Sequence, residues 1–334
     1  MQMIGKLPNH KLEKILTHFS GKLRDEVLTK PVIGEDCAVL NFGRDLCVVT
    51  TDPITGAESD IGTLAVHIAC NDLASSGAEP VGLMVTLLVP PETGFEEIYE
   101  VMGQIKKEAD LVNADIIGGH TEVTDAVTRM VVSITALGKA RENKVVTTSG
   151  ARPDDDIIIT KYAATEGTAI LANLLGEYLE KRIGKETVAK ARRLIGSISV
   201  LKEGLIAAEF GAASMHDITE GGVLGAVWEL CRASGFGAVV FKDRIPLMDE
   251  TKVICECLGL DPLRLISSGS MLITCKDGDG LVERLQESGI QSCIIGKITQ
   301  EASCFIVDGE KTLKIDPPES DELYKARELL KGVE

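Results

Sequence analysis

The first half of the chain alternates short apolar runs with amphipathic stretches. Apolar residues recur at helical spacing over 61–75 and 95–111, so we predict a helix in each stretch. Short apolar runs bounded by turn-forming residues predict strands at 46–51, 81–89 and 129–137. Strands that alternate with helices are typical of layered α/β or α+β domains. The pattern therefore predicts an α/β (α+β) fold for this half of the chain.

A second alternation follows residue 150 and predicts the same fold class for the other half. Between the halves, segment 147–156 (TTSGARPDDD) combines glycine, proline and a run of aspartates, which is typical of a linker. We therefore predict two domains, residues 1–149 and residues 150–334, with the boundary near Ser149. The second domain's predicted strands are 157–160, 271–275, 294–298 and 304–307, and its predicted helices are 168–180, 188–195, 201–210 and 223–233.

Composition narrows the class of protein. The 334 residues are 44% apolar and 26% charged, which is the balance of a folded protein with room for two cores. A net charge of −16 without clustered Lys or Arg argues against nucleic-acid binding. The longest mostly apolar stretch, 81–89, is about half the length of a membrane-spanning helix. Because the amino terminus (MQMIGKLPNHK) also lacks the apolar core of a signal peptide, we expect a cytoplasmic protein without membrane contact.

The nine cysteines are scattered along the chain without paired spacing. This distribution predicts reduced, mostly buried thiols and not a disulfide framework. Cys255 and Cys257 form a C-x-C pair, but no nearby His or Cys would complete a zinc site around it.

Asp72 lies on the apolar stripe of the helix predicted at 61–75. It follows Ala69 by three residues and Ile68 by four, so the carboxylate is expected to face the interior. A charge in that position requires a partner. Two explanations are open at this point, a ligand-binding carboxylate or a residue near the helix end that caps a neighbouring turn.

Two further aspartates stand beside predicted strands. Asp52 ends the run VVTTD, where an α/β sheet commonly presents ligand-binding groups, although an aspartate there is also a common turn former. Asp36 follows Gly34 and Glu35, which predicts a tight turn with a carboxylate at its tip. Three aspartates on separate segments suit Mg²⁺, which takes oxygen ligands and bridges one or two carboxylates to substrate phosphates.

Two glycine pairs add to this picture. Gly118 and Gly119 follow a short predicted strand and precede His120, Thr121 and Glu122, and glycine lets a backbone approach a ligand closely. A hairpin turn would account for the same glycines. No Walker phosphate loop, Rossmann fingerprint, G-x-S-x-G elbow or H-E-x-x-H helix is present, so a site here would be of another kind.

The second pair, Gly221 and Gly222, begins a predicted helix directly after His216–Glu220. Free backbone amides at such a helix start suit an anion such as phosphate. A helix capped by Asp217 or Thr219 would explain the same sequence. Residues 165–168 (TEGT) present a weaker version of this pattern, and we interpret them as a helix cap.

Five motifs, taken in order, resemble one superfamily. They are G-E-D-C-A-V (34–39), T-T-D (50–52), N-D-L-A-x-x-G-A-x-P (71–80), G-G-H-T-E (118–122) and H-D-I-T-E-G-G (216–222). Together they resemble the aminoimidazole-ribonucleotide (AIR) synthetase, or PurM-like, superfamily, and the match extends over most of the chain. The resemblance implies an amino-terminal domain that forms a β-barrel with its copy in a homodimer, and a carboxy-terminal α/β domain.

The resemblance also implies ATP and Mg²⁺ as ligands. Residues expected to hold the metal are Asp36, Asp52 and Asp72. Residues expected to contact the nucleotide beside them are Thr51, Asn71, Gly118, Gly119, Gly221 and Gly222. The catalytic groups implied near the phosphates or the acceptor are Asp217, Glu122 and His120.

Within the superfamily, the opening GKLP and the NDLASSGA helix are most similar to the hydrogenase-maturation carbamoyl dehydratases. Those enzymes end in a Pro-Arg-x-Cys tail, whereas this sequence ends KARELLKGVE and its last cysteine is Cys304. We therefore expect an ATP-dependent enzyme that activates an amide, carbonyl or phosphate oxygen of a different acceptor. That acceptor is either a small molecule or carried by a protein, and a maturation partner protein is expected.

Two alternatives to this function remain. One is a small-molecule kinase of the thiamine-monophosphate type, although such a kinase would be expected to carry Ile-Ser-Asp-Gly where this chain has Ile218–Gly221. The other is a non-catalytic ATP-binding regulator that keeps the dimer and the site without turnover.

Overall fold

A computed structural model describes residues 5–6, 9–19, 21, 23–27, 43, 46–55, 60–141, 144–317 and 321–331. The chain divides into two compact units. Unit 1 comprises residues 1–73 and 78–143, and unit 2 comprises residues 74–77 and 144–334. Both contain strands and helices, so the predicted α/β class is confirmed. The boundary near Ser149 stays a prediction.

Unit 1 contains a five-stranded sheet in the spatial order β1-β4-β3-β5-β2. Strands β3 and β4 run parallel, and the other neighbouring pairs are antiparallel. The sheet is open and is formed by a single chain. The β-barrel that the resemblance implies, formed with a second copy of the chain, stays a prediction. Its strands are β1 Gly5–Lys6, β2 Leu46–Ile54, β3 Glu79–Val89, β4 Asp115–Val123 and β5 Val131–Ala140, and the helices of this region are α1 Asn9–Phe19, α2 Ile61–Ser75 and α3 Phe95–Leu111.

One face of this sheet is buried beneath helices. Along β5, Val132, Ile134 and Ala136 are buried, whereas the residues between them are half-buried. This two-residue period is the pattern of a strand with only one covered face. A Cβ added to Gly138, on the buried face, would lie 3.1 Å from the side chain of Leu73 in α2. Helix α2 therefore packs closely on β5. We refer to this face as the helix-side face and to the other as the open face.

Helix α3 is joined to α2 by polar contacts. The Nε2 of His67 in α2 lies 3.0 Å from Oε2 of Glu108 in α3, and both residues are buried. Burial acts to raise the pKa of Glu108, but hydrogen bonds from Lys107 and His67 favour the ionised carboxylate and lower the pKa on balance. The amide of Gly62 also donates to Oε1 of Gln104, at 3.0 Å. These contacts fix the layer of helices that lies over the sheet.

The glycine pair of β4 lies inside the strand. The register with β3 passes from Leu83 opposite Ile116 to Met84 opposite Gly118, so one extra residue bulges at Ile117. Gly119 has φ +151, and a Cβ there would lie 1.8 Å from the carbonyl oxygen of Val85. Only glycine fits this close approach of strands. The predictions that the strand ends before Gly118 and that a hairpin could explain the glycines are both wrong.

Unit 2 contains a seven-stranded sheet in the order β12-β11-β8-β10-β6-β9-β7. Only β8 and β11 pair in parallel among the strands that the structure describes. Its strands are β6 Asp156–Thr160, β7 Ser214–Asp217, β8 Gly237–Phe241, β9 Met271–Cys275, β10 Ser292–Thr299, β11 Cys304–Asp308 and β12 Lys311–Lys314. Its helices are α4 Thr165–Leu174, α5 Gly176–Ile183, α6 Lys185–Arg193, α7 Leu201–Phe210, α8 Gly222–Ser234, α9 Asp249–Leu258, α10 Gly278–Glu287 and α11 Glu322–Lys331.

Both faces of this second sheet are buried. Ile157 and Ile159 of β6 belong to one apolar cluster, which includes Val227 of α8. Ile158 belongs to another cluster, which includes Ala207 of α7. A strand buried on both faces needs a continuous apolar run, and this explains the sequence of β6.

The predicted bounds of α2, α3, α7 and β9 match the structure. The single helix predicted at 168–180 is wrong, because the chain forms α4 and α5 with a break before Gly176. A Cβ at Gly176 would lie 2.0 Å from a guanidinium nitrogen of Arg192, so the glycine makes room for that side chain. Helices α9 and α10 and strand β8 were not predicted. No helix in the described residues is long and apolar enough to span a membrane.

An ionic cluster holds segment 23–27 against the sheet of unit 1. The guanidinium of Arg24 contacts Glu26 and Glu79 at 3.2 and 3.1 Å. It also donates to the carbonyl oxygens of Pro80 and Asn113. Hydrogen bonds from Arg24 and from a lysine of β5 lower the pKa of Glu26 to about 2. The cluster therefore ties this segment to the strand ends.

Glu26→Gln should lower stability at neutral pH by up to about 1 kcal/mol, the range of partly exposed ion pairs. The ordinary pKa of the carboxyl is 4.5 and the folded value is about 2. The contribution is therefore complete above 4.5 and is lost as the pH falls toward 2. Thermal unfolding should show that the difference in stability between the Glu26→Gln variant and the unmodified protein narrows from pH 7 to pH 3. Glu100→Gln, at an exposed position on α3, is the control, and an unchanged difference at pH 3 would contradict the prediction.

Candidate functional site

Strand β2 divides the residues of the T-T-D motif between two faces of the sheet. Thr50 pairs with Ala136 and Asp52 with Ile134, both on the helix-side face of β5. Thr51 alternates with them and lies on the open face, where its hydroxyl accepts a hydrogen bond from Thr135 at 2.9 Å. Thr50 and Asp52 therefore share one side of the sheet, and Thr51 lies on the other.

Asp72 reaches β2 from the helix above it. The hydroxyl of Thr50 donates to Oδ2 of Asp72 at 2.6 Å. This bond confirms that the carboxylate faces inward, toward the sheet. Asp72 is half-buried, whereas its neighbours Cys70, Asn71 and Leu73 are fully buried. Burial raises the pKa of Cys70 to about 12, and the charge of Asp72 adds to the effect, so this thiol stays protonated.

Asp52 carries a carboxylate oxygen that suits a cation. Its Oδ2 is buried and has no hydrogen-bond partner among the residues that the structure describes. A buried carboxylate oxygen without a partner is costly, and a metal ion is one ligand that would compensate for it. No group of three or more His, Cys, Asp or Glu in the described part of the chain is arranged to hold a metal. Asp36, the third predicted ligand, lies outside the described residues. Two carboxylates with phosphate oxygens still fit the ligand set that Mg²⁺ prefers.

His120 and Glu122 lie on the open face. They pair with Thr86 and Leu88 of β3, whose side chains alternate with the buried residues of that strand. The His120 Nε2 is 3.6 Å from Oε2 of Glu122, and the two side chains are 40% and 39% exposed. The structure therefore brings His120 and Glu122 together but puts them across the sheet from Asp52.

In unit 2, the amides at the start of α8 are already engaged. The amide of Gly221 donates to Oδ2 of Asp321 at 2.8 Å, and the amide of Gly222 donates to the carbonyl of Thr219 at 3.1 Å. A Cβ at Gly222, which has φ +62, would lie 2.6 Å from the carbonyl oxygen of Leu263. The expectation of free amides at these glycines is therefore wrong. Close packing and a carboxylate of the same chain explain both residues.

The predicted caps of this region are also wrong. The N-cap of α8 is Gly221 and that of α4 is Ala164, and neither helix start has a side-chain cap hydrogen bond. Asp217 instead ends β7 and is buried, with 5% of its surface exposed. The next amide, that of Ile218, donates to the carbonyl of Ser270 at 3.0 Å.

Asp321 accepts hydrogen bonds from two backbone amides. They belong to Gly221 and Leu323, each at 2.8 Å, and burial raises the pKa of its carboxyl despite these bonds. Tyr324, one turn into α11, donates its hydroxyl to Oε1 of Glu220 at 2.8 Å. The start of α11 thus fastens the loop that precedes α8. The sequence gives no local sign of this long-range contact.

Glu166 is a further buried carboxyl in unit 2, and the sequence predicted it only as part of a helix cap. It is 3% exposed and accepts a hydrogen bond from the amide of Ser268 at 3.3 Å. Burial raises its pKa to about 7, and the charges of Asp321 and Glu220 act in the same direction. Its only sequence signal is a charged residue at the start of an otherwise apolar helix.

Asp321→Ala should destabilise the protein by about 1–3 kcal/mol, because buried amides lose their acceptor. Asp321→Asn keeps one carbonyl acceptor and should cost less. Urea unfolding measures both, with Asp316→Asn as a control at an exposed position on the same segment. If Asp321→Ala were as stable as the unmodified protein, the hydrogen bonds of Asp321 to the backbone amides would not contribute to stability, contrary to this prediction.

Glu166 should make stability depend on pH in the opposite sense to Glu26. Its folded pKa is about 7 against an ordinary 4.5, so the folded state binds the proton more tightly. Its contribution is then greatest below 4.5 and is lost as the pH rises through 7. Glu166→Gln should therefore gain stability relative to the unmodified protein between pH 5 and pH 8 in urea unfolding. Glu283→Gln, at an exposed position on α10, should show no such trend. If the stability of Glu166→Gln instead followed the same pH dependence as the unmodified protein, the raised pKa of Glu166 would be contradicted.

Comparison with known proteins identifies the family. The family model "AIR synthase related protein, N-terminal domain" matches residues 34–140, and "AIR synthase related protein, C-terminal domain" matches residues 152–309. A hydrogenase expression/formation protein, by its name, of Methanocaldococcus jannaschii is 32% identical over 283 residues, covering 82% of each chain. Carbamoyl dehydratase HypE of Rhodobacter capsulatus is 28% identical over 280 residues, covering 82% of this chain and 79% of that protein.

Solved structures share the fold. HypE in complex with ATP matches with a TM-score of 0.75 and 21% identity, covering 94% of this chain and 96% of that one. The HypE–HypF complex matches with a TM-score of 0.73 and 21% identity, over 84% and 92%. Thiamine-monophosphate kinase from Stenotrophomonas maltophilia matches with a TM-score of 0.75 and 22% identity, over 93% and 99%. With two family models spanning most of its length and a relative above 30% identity, this chain belongs to the AIR synthase related protein family.

Proposed function

We propose that this chain is a Mg-ATP-dependent enzyme related to the hydrogenase-maturation carbamoyl dehydratases. The observation that carries the proposal is the buried Oδ2 of Asp52, which has no partner in the described residues. Asp52 lies on the same face of β2 as Thr50, whose hydroxyl donates to Asp72. The names of the relatives and the ATP complex of a protein with the same fold support this choice of ligand. We propose that the reaction activates an amide, carbonyl or phosphate oxygen of the acceptor.

Asp52 and Asp72 would hold Mg²⁺, with Asp36 as a third ligand. When bound, the metal neutralises charge that develops on the transferred phosphoryl oxygens. The protein contributes orientation, because β2 fixes the backbone of Asp52 and Thr50 holds one oxygen of Asp72. Asn71, which is fully buried, would support the turn of α2 that carries Asp72.

The remaining predicted residues would act around this centre. Gly118 would offer its backbone to the nucleotide, and Gly119 would maintain the strand geometry that permits it. We propose that the phosphates would be held through the Mg²⁺ of Asp52 and Asp72. Gly221 and Gly222 are not assigned to them, because Asp321 and Thr219 accept the amide hydrogens of that pair.

We propose that His120, Glu122 and Thr51 act through the open face of the sheet. They lie across the sheet from Asp52, so one copy of unit 1 does not bring them to the same metal. A homodimer formed through the open face would give these residues a second set of neighbours. Asp217 of unit 2 is proposed as a further acidic group near the acceptor.

The acceptor is proposed to be a small molecule or a group borne by a protein. The solved HypE–HypF complex supports a protein partner for a chain of this fold. A second candidate function, phosphorylation of a small molecule, is favoured by the matching thiamine-monophosphate kinase structure. The two differ in product, since a kinase leaves a phosphorylated acceptor whereas a dehydratase releases phosphate with ADP.

Calorimetric titration with Mg-ATP tests the shared premise. Asp52→Asn and Asp72→Asn should each weaken binding about tenfold or more, since even residues that only support metal ligands change affinity by that amount. Asp125→Asn, at an exposed turn of the same unit, should bind as the unmodified protein does. Equal affinity in all four proteins would refute the proposed site.

Product analysis separates the candidate reactions. A phosphorylated acceptor would identify the kinase, and ADP with phosphate and a dehydrated acceptor would identify the dehydratase. Binding of Mg-ATP without ADP release over a broad panel of acceptors would instead indicate the non-catalytic regulator.

A further inference from the structure

Thr50 of the T-T-D motif presents its hydroxyl to Asp72, one of the proposed metal ligands. It stands two residues before Asp52 on the helix-side face of β2, so the two side chains are neighbours on one strand. Strand β2 is at the sheet edge, and its pairing with β5 fixes the backbone at Thr50 opposite Ala136. The donor that reaches Asp72 is therefore presented from a fixed strand.

The hydrogen bond from Thr50 has a defined direction. An ionised carboxylate only accepts, so the threonine hydroxyl must donate its hydrogen to Oδ2 of Asp72. The separation of 2.6 Å is in the range of a hydroxyl bound to a charged oxygen, which is stronger than a neutral bond.

This bond also restricts the rotation of the carboxylate. The last torsion of an aspartate side chain has a broad energy minimum, so the plane of its two oxygens is poorly fixed by the chain alone. A threonine is stiff at its first torsion because it is branched at Cβ. A stiff donor on a paired strand therefore sets the plane of a carboxylate on an adjacent helix.

We propose that Thr50 is a positioning residue that orients the Asp72 carboxylate for the metal, and that Thr50 rather than Thr51 performs this role in the T-T-D motif. The inference rests on the proposed function, because that function makes Asp72 a metal ligand. Residues that hold metal ligands through hydrogen bonds commonly change metal affinity without touching the metal. The hydroxyl of Thr51 is bonded to Thr135 on the open face and does not share this surface.

Three variants isolate the hydroxyl. Thr50→Val keeps the branched shape and removes the donor, whereas Thr50→Ser keeps the donor and removes the methyl group. Thr135→Val removes a threonine hydroxyl from the same sheet, on the open face. Thermal unfolding of each variant establishes that it is folded before binding is compared.

Two readouts are measured on the full chain. One is Mn²⁺ binding without nucleotide, followed by electron paramagnetic resonance, and the other is the Mg²⁺ concentration needed for half-maximal ATP binding. Thr50→Val should weaken Mn²⁺ binding and raise the Mg²⁺ requirement by about 10- to 100-fold. For Thr50→Ser and Thr135→Val, the Mn²⁺ affinity and the Mg²⁺ requirement should both stay within about threefold of the values for the unmodified protein, well short of that range.

The outcomes separate this inference from the proposed function. An unmodified protein that binds Mn²⁺ but not ATP would refute the nucleotide function, and the Thr50 comparison would still be decided by Mn²⁺. Unchanged metal binding in a folded Thr50→Val would overturn the inference and leave the function intact. An equal loss in Thr135→Val would also overturn it, since the effect would then not belong to the hydroxyl of Thr50. Absence of both metal and ATP binding in the unmodified protein would refute both proposals.

Discussion

The two-residue period of a β-strand decides which candidate residues can act together in unit 1. Adjacent residues of β2 point to opposite faces of the sheet. The side chains of Thr51 and Asp52 therefore lie on different faces, although the two residues are neighbours in the sequence. The same period puts His120 and Glu122 on one face of β4. A short motif in a strand therefore serves two surfaces at once.

Buried carboxylates in this protein are satisfied in different ways. Asp321 binds two backbone amides, Glu108 contacts His67 and Lys107, and Glu166 holds a proton close to neutral pH. Asp52 differs because one of its buried oxygens has no partner in the described structure. The buried oxygen of Asp52 is therefore suited to an external ligand.

Local patterns predicted the elements that pack by regular periodicity. Helices α2 and α3 were bounded correctly because their apolar stripes are long. Contacts between distant segments were not predictable: Gly221 and Asp321 are separated by 100 residues, and no local pattern links them. The glycines of 221–222 were misinterpreted for the same reason, since a helix start that receives a carboxylate from the same chain looks identical in sequence to one that receives phosphate.

The bulge at Ile117 has a consequence for insertions and deletions in this family. A bulge accommodates one extra residue while the residues beyond it keep their partners, whereas a slip by one residue moves every following side chain to the other face. Loss of the bulge residue would therefore leave His120 opposite Thr86 on the open face. Loss of one residue after the bulge, with Gly118 still opposite Met84, would instead exchange the faces of His120 and Glu122 with that of Thr121. In an alignment of this strand, a single gap beyond Gly118 would therefore mark a change in surface chemistry, even where His120, Thr121 and Glu122 are all retained.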